Sequence, residues 1–308
     1  PDYVSDILIC PKCHSKLLRD LDGNFNCKSC PEVYSFTEND SLDLRLKSEK
    51  TITEKVTLGK SLTLPSHLAQ EPLVFKANPQ VDFSGFVAPH HLSKELLSYF
   101  PKAIDERSMM LDLGCGDVVH REVGEHAGFE YIGLDYSNEK ASFLGDGHVL
   151  PFRHNSIDFV LMIAVLEHIQ YPLVLMKEVH RVLKPGGTII GTVSFLEPFH
   201  DNSYYHHTHL GLYNDLSYAG FEVEQLAPSR VWKVFDAQAR MAGWVHFPGM
   251  SKFLRDGIIR LPRTMSDLWS GAYRLLRRKL LPDNLKYVTG SFTFVASKHE
   301  TIEQLNDW

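Results

Sequence analysis

The stretch Met109-Met110-Leu111-Asp112-Leu113-Gly114-Cys115-Gly116-Asp117 decides how the chain is read. Its first five residues, apolar except Asp112, form a candidate strand that runs straight into two glycines one residue apart. Without a Cβ, glycine at a strand's end lets the backbone turn sharply and approach a bound molecule closely. Working outward, short apolar runs at Met109–Leu113, Tyr131–Leu134, Ile157–Ile163 and Thr188–Val193 alternate with helical patterns. That alternation predicts βαβ units and a parallel sheet, hence an α/β, Rossmann-like fold.

Two later runs, Phe221–Leu226 and Ser291–Ala296, alternate as strands do, yet about 60 residues separate them. The insert carries apolar residues at helical spacing: Phe253, Leu254, Ile258, Ile259 and Leu261, then Leu268, Trp269, Tyr273, Leu275 and Leu276, with basic residues between. Two or three helices are expected there, broken near Pro262 and Pro282. The insert reads as a lid, a dimer face or a surface for anionic lipid, with the lid favoured; the oligomeric state is not legible.

Four of the five cysteines lie within the first 30 residues as Cys10-Pro-Lys-Cys13 and Cys27-Lys-Ser-Cys30, 13 residues apart. Each C-x2-C knuckle aims two thiolates at one ion, and two knuckles complete the tetrahedral shell that structural zinc prefers. Paired disulfides or free thiols are the alternatives, and neither explains the spacing as well. So short a segment buries little apolar surface alone, so a metal would supply its folding energy.

The chemistry-bearing motifs follow in order. Tyr131-Ile132-Gly133-Leu134-Asp135 ends a second strand in a carboxylate, 23 residues past Asp112, where it can accept from both hydroxyls of a ribose. Then come Gly145-Asp146-Gly147-His148, Val165-Leu166-Glu167-His168 and Arg181-Val182-Leu183-Lys184-Pro185-Gly186-Gly187, the last read as a tight turn. The third glycine of a dinucleotide fingerprint is missing, because Val118 and Val119 stand there, which argues against a nicotinamide cofactor. Tyr136-Ser137-Asn138-Glu139-Lys140 fits a dehydrogenase Y-x-x-x-K pair but sits far too early in the chain.

This ordered set resembles the class I S-adenosylmethionine-dependent methyltransferases, of the methyltransferase domain 11 type, over roughly residues 92–226. The resemblance implies a seven-stranded sheet and S-adenosylmethionine as cofactor. It puts Asp112, Gly114 and Gly116 around the methionine part, Asp135 on the ribose with Tyr136 beside it, and Asp146 on the adenine amino group. Gly147 and His148 then border the adenine. The cysteine segment, with Tyr34-Ser35-Phe36 after it, resembles Trm112-like zinc ribbons, which serve as platforms for substrates or partners. The expected organisation is a zinc ribbon at 1–47, a linker and N-terminal lid at 48–88, the core at 89–228, the helical insert at 229–286, and the last strand with a tail at 287–308.

Methyl transfer to a hydroxyl requires a group that takes its proton. His168 follows the fourth core strand. After the fifth comes Glu197-Pro198-Phe199-His200-Asp201-Asn202-Ser203-Tyr204-Tyr205-His206-His207-Thr208-His209, with four histidines in ten residues. This loop resembles a P-F-H-D segment of methyltransferases near polysaccharide and natural-product biosynthesis genes, with His206 where those carry arginine. His200 and His206 are the candidate bases, because histidine titrates near neutral pH. The equal alternative is that the histidines only shape a pocket, with Thr208 capping a helix through Ala219. A metal bound by His206, His207 and His209 with Asp201 is a third reading, disfavoured by that spacing. Phe83, Phe86, Pro89, His90, His91, Trp232, Trp244 and Phe247 are expected to roof an apolar or ring-bearing acceptor.

A net charge of -6 gives no general attraction to phosphate backbones, so nucleic acid is not the expected partner. No apolar run reaches the roughly 18 residues of a membrane span, and a cytoplasmic location is expected. The expected activity is methylation, at oxygen, of a small-molecule natural product or glycan. An rRNA base methyltransferase and a non-catalytic partner-binding module are the alternatives.

Overall fold

The computed structural model describes residues 2–55, 68, 71–89, 91–197, 200–241, scattered positions between 251 and 268, and 285–299. Helix α1 (Asp2–Ile7) precedes strands β1 (Leu17–Arg19), β2 (Phe25–Cys27) and β3 (Val33–Tyr34), which form a small antiparallel sheet. The main sheet holds β4 (Leu42–Asp43), β5 (Met109–Leu113), β6 (Glu130–Asp135), β7 (Phe143–Leu144), β8 (Ile157–Ile163), β9 (Leu183–Ser194), β10 (Glu222–Pro228) and β11 (Ser291–Ser297). Their order is β10-β11-β9-β8-β5-β6-β7-β4, parallel except where β11 pairs with β9 and β10.

The period-2 pattern of the strands builds two cores. Met109, Leu111, Val160, Met162, Ile189, Phe292 and Phe294 point to one face, and Met110, Phe159, Leu161, Ile190 and Val295 to the other. On the first face lie the helices α4 (Pro172–Val182) and α5 (His209–Tyr218). Helix α4 starts with Pro172, whose missing N–H costs nothing in a first turn, and buries Leu175, Met176, Val179 and Val182 along one stripe. The second face is covered by α2 (Lys94–Leu97) and α3 (Arg121–His126) through Leu96, Leu97 and Val123. Thr208 caps α5, its Oγ1 accepting from Gly211 N–H at 3.1 Å.

Two expectations are corrected, the strand count and the turn at residues 184–187. The sheet has eight strands, not seven, because Leu42–Asp43 pairs in parallel with Phe143–Leu144 at its edge; two residues are too few to show a period. The N-terminal segment has no core of its own: Val4, Leu8, Leu17, Phe25 and Tyr34 share the buried cluster of Leu111 and Val160. Ile9 N–H also donates to Pro151 O (2.9 Å), and Arg153 N–H to Ile7 O (2.8 Å). Lys184-Pro185-Gly186-Gly187 belongs to β9 as an irregularity in its pairing with β8, held as Gly186 N–H donates to Lys298 O and Lys298 N–H to Gly187 O.

Between β10 and β11, α6 (Val234–Met241) and a short helix at Leu285–Val288 are described. Residues 242–250 and 269–284, with Trp244, Phe247, Trp269, Tyr273, Leu275, Leu276 and Pro282, lie outside the described residues, as do Phe253, Ile259, His90, Pro198, Phe199 and the tail from 300. No helix among the described residues is long and apolar enough to cross a membrane.

Gly191 tests the packing between β8, β9 and β11. A Cβ there would stand 2.4 Å from the Phe294 ring and 2.5 Å from Met162 O. Gly191→Ala is expected to lower stability by about 1–3 kcal/mol, read as a shifted urea midpoint; an unchanged midpoint would contradict this packing.

Candidate active site

The glycine loop leaves β5 in conformations that few other residues adopt, with Gly114 at φ 68° and Gly116 at φ 49°. A Cβ on Gly114 would also strike Val165 Cγ2 at 2.7 Å. The loop is tied to the neighbouring strand: Gly114 and Cys115 N–H donate to Leu134 O (2.8 and 3.2 Å), and Gly116 N–H to Asp135 Oδ2 (3.1 Å). The other carboxylate oxygen of Asp135 accepts from Ser137 and Asn138 N–H, both at 2.9 Å.

A cleft of about 770 Å³ opens at the carboxyl ends of these strands, within the size range of small-molecule sites. Gly114, Asp135, Tyr136, Asp146, Gly147, His148, His168 and Asp201 to Tyr204 all line it. Asp112 and Gly116 do not line it. Asp112 is buried beneath the loop, where its Oδ2 accepts from Tyr131 Oη (2.6 Å) and pairs with His120 Nδ1 (3.2 Å), while Oδ1 has no partner among the described residues. Asp146 Oδ1 accepts from His148 N–H at 2.9 Å and pairs with His148 Nδ1 at 2.6 Å. Burial opposes its ionisation, but the His148 ring and N–H outweigh burial together and hold this carboxyl below its usual range.

A second, smaller chamber of about 30 Å³ adjoins the cleft across Ala164, which lines both. Ala164 has φ 55°, a left-handed conformation held by its N–H bonds to Thr192 O and Oγ1. Glu167, Thr192, Ser194, Glu197, His200 and Trp232 are among the chamber's walls. The structure thus separates the three histidines. His168 lies at the cleft, its ring 5.1 Å from that of His200; His200 lies in the chamber, with Nδ1 3.3 Å from Glu197 Oε1; His206 is exposed and lines neither space. Burial, then the nearby His200, pushes the His168 pKa down.

Glu167 was not singled out by the sequence reading. It is 1 % exposed, and burial pushes its carboxyl up to about 7, against backbone hydrogen bonds from its own residue and Ser194. Its backbone O accepts Tyr204 N–H at 2.6 Å, which docks the histidine loop onto this turn. The only sequence signal was a charged residue between Leu166 and His168 after an apolar strand. Of the expected roof, His91 and Trp232 reach the chamber, whereas Phe83 and Phe86 pack with Phe100 and His126 on the second core face.

The four cysteine sulfurs at the N-terminus lie within 4.8 Å of one another. The closest approaches are 3.3 Å (Cys13–Cys27) and 3.6 Å (Cys10–Cys30 and Cys13–Cys30), far beyond a disulfide bond and near the roughly 3.8 Å of a tetrahedral shell with 2.3 Å zinc–sulfur bonds. Tyr34 Oη, fully buried, stands 3.4 Å from Cys10 Sγ, and Ser29 N–H donates to Cys27 Sγ at 3.4 Å. The cluster fits one four-thiolate ion.

Residues 111–191 match the family model described as a methyltransferase domain. Demethylmenaquinone methyltransferase of Staphylococcus haemolyticus is 36% identical over 27% of this chain and 42% of its own length. A bifunctional biotin biosynthesis protein of Cellvibrio japonicus is 33% identical over 30% of this chain and 21% of its own. An uncharacterised chloroplastic methyltransferase of Arabidopsis thaliana is 26% identical over 61% of this chain and 62% of its own. The chain therefore spans about a fifth to three fifths of the length of these relatives. A solved complex of the Haloferax volcanii Trm112 methyltransferase activator with a putative methyltransferase is similar over 67% of this chain and 88% of that one, at 21% identity and TM-score 0.44. The family match, with the α/β sheet, supports a methyltransferase domain.

The histidine loop is anchored by His207, whose N–H donates to Ser194 O (3.1 Å) and whose Nε2 lies 3.6 Å from Asp215. Burial drives both toward neutrality, His207 down to about 4, with His206 adding to the effect, and Asp215 up to about 6. Because the fold prefers Asp215 protonated, that contribution is full below its usual 3.8 and is lost as pH rises through about 6. Asp215→Asn is expected to gain stability relative to the native chain between pH 4 and pH 7, measured by urea unfolding; a constant difference would contradict the burial argument.

Proposed function

We propose that the chain transfers a methyl group from S-adenosylmethionine to an oxygen of a small-molecule or glycan acceptor. The observation that carries this reading is one cleft lined both by two carboxylates, Asp135 and Asp146, and by the His168 turn with the start of the histidine loop. Asp135 holds the ribose hydroxyls and Asp146 the adenine amino group, with Gly147 and His148 along the base. Gly114 gives the methionine part a backbone surface without a side chain. The cofactor supplies an electrophilic methyl on a sulfonium. The protein's part is to align the acceptor behind that methyl and exclude water from it.

The acceptor end is formed by His168, Gln170 and the segment from Asp201 to Tyr204. Two relatives bear the names of small-molecule chemistry, demethylmenaquinone methylation and biotin biosynthesis, which favours a small acceptor. The acceptor hydroxyl is placed beside the Glu167–His168–His200 group rather than beside His206, which is exposed and lines neither space. Zinc in the four-thiolate cluster is structural, since four protein ligands close the shell and leave no position for a reactant.

Two measurements test these assignments. Asp135→Asn removes a charged acceptor, and a hydrogen bond to a charged group is worth about 1.5–3 kcal/mol, so S-adenosylhomocysteine affinity by calorimetry is expected to fall about 10- to 100-fold. Unchanged affinity would remove the ribose assignment. The purified chain is expected to carry one zinc, lost in Cys27→Ser with a lowered melting temperature, because the segment shares the main core. Equal zinc content by atomic absorption in both would overturn the cluster assignment.

A further inference from the structure

The chamber beside the cleft is built for something smaller than an organic acceptor. Its volume, about 30 Å³, admits one or two water-sized occupants, since a single water needs roughly 10–15 Å³ on this measure. Where this space meets the cleft, Glu167 and His200 from the chamber and His168 from the cleft each offer one ligating atom, all within 4.8 Å of one another. We propose that these three side chains bind a first-row divalent cation that holds and activates the acceptor hydroxyl. This rests on the methyltransferase reading of the neighbouring cleft and adds a metal centre to it.

Three observations carry the proposal. Glu167 is 1 % exposed, and its Oε2 has no hydrogen-bond partner among the described residues. Neither a carboxylate nor a carboxylic acid is satisfied there, because the first lacks a donor and the second an acceptor, and an unmet buried polar atom is costly. A cation satisfies it directly. Metal-binding imidazoles characteristically donate their second ring nitrogen to a carboxylate or carbonyl, and His200 has such a partner. Its Nδ1 faces Glu197 Oε1 at 3.3 Å, so its Nε2 is the nitrogen available to an ion. Finally, the three ligating atoms lie within 4.8 Å of one another, so side-chain rotation brings them to the roughly 3.0–3.5 Å separation of neighbouring ligands with bonds of about 2.0–2.2 Å.

Two imidazoles and one carboxylate leave coordination positions open, as a catalytic ion requires. An acceptor hydroxyl bound in one of them becomes more acidic and releases its proton to water in the open cleft. The alkoxide oxygen then forms a bond to the methyl carbon while the carbon–sulfur bond breaks. Its electron pair stays on sulfur, so the sulfonium becomes a neutral thioether.

Mn2+ is the probe, because soft thiolates favour other ions and imidazole with carboxylate accepts it. Titration of the zinc-loaded chain, followed by electron paramagnetic resonance, is expected to show one saturable Mn2+ site. Glu167→Gln and His200→Asn should each weaken it at least tenfold while S-adenosylhomocysteine affinity, by calorimetry, stays within twofold. His200 is half-buried, so His200→Asn carries the test alone should Glu167→Gln fail to fold. Absence of a saturable site, or equal Mn2+ affinity in the variants, overturns the proposal. Mn2+ binding without S-adenosylhomocysteine binding would instead sustain the metal site and reject the cofactor reading beneath it.

Discussion

The arrangement depends on one tie, from the Asp135 carboxylate to the Gly116 N–H across the ends of two parallel strands. Leu134 O reinforces it by accepting from Gly114 and Cys115. Together these bonds fold the glycine loop back onto β6, and the loop can follow only because Gly114 and Gly116 tolerate positive φ. Asp135 is thereby fixed through one oxygen to the loop and through the other to Ser137 and Asn138, before any ligand arrives. A carboxylate so held presents fixed geometry to the cleft, and preorganisation of this kind lowers the ordering cost of binding.

Behind the tie, the two cores act as a rigid mount. Strand residues alternate between faces, so β5 and β8 are covered by helices on both sides, and their carboxyl ends become the place where polar groups meet solvent. The N-terminal segment extends this mount instead of hanging from it. Its β4 lengthens the sheet beyond β7, and its apolar side chains complete the first core. An ion in the four-thiolate cluster therefore stabilises the same body that carries the cleft, although it stands apart from the residues that line it.

The ends of β5 and β6, with the glycine loop and Asp135 that follow them, were legible because each sits where an apolar run stops; Asp146 follows the two-residue β7 and was marked by the resemblance alone. The cysteines were legible from spacing alone. The eighth strand was not, since Leu42–Asp43 is too short to alternate and is specified by its partner Phe143–Leu144. Nor was the division of the histidines. His200 and His206 are alike in sequence, and only the docking of the loop onto Glu167 and Ser194 turns one inward and leaves the other exposed. Glu167 was missed because burial of a charged residue in a three-residue turn is set by what later packs over it.

The central claim is that this cleft is an S-adenosylmethionine site with its reactive end toward Ala164 and His168. A crystal structure with S-adenosylhomocysteine tests it most directly. The account predicts adenine within hydrogen-bond reach of Asp146, both ribose hydroxyls on Asp135, and the sulfur facing Ala164 and His168. A ligand bound elsewhere, or in this cleft with its sulfur turned away from His168, would contradict it.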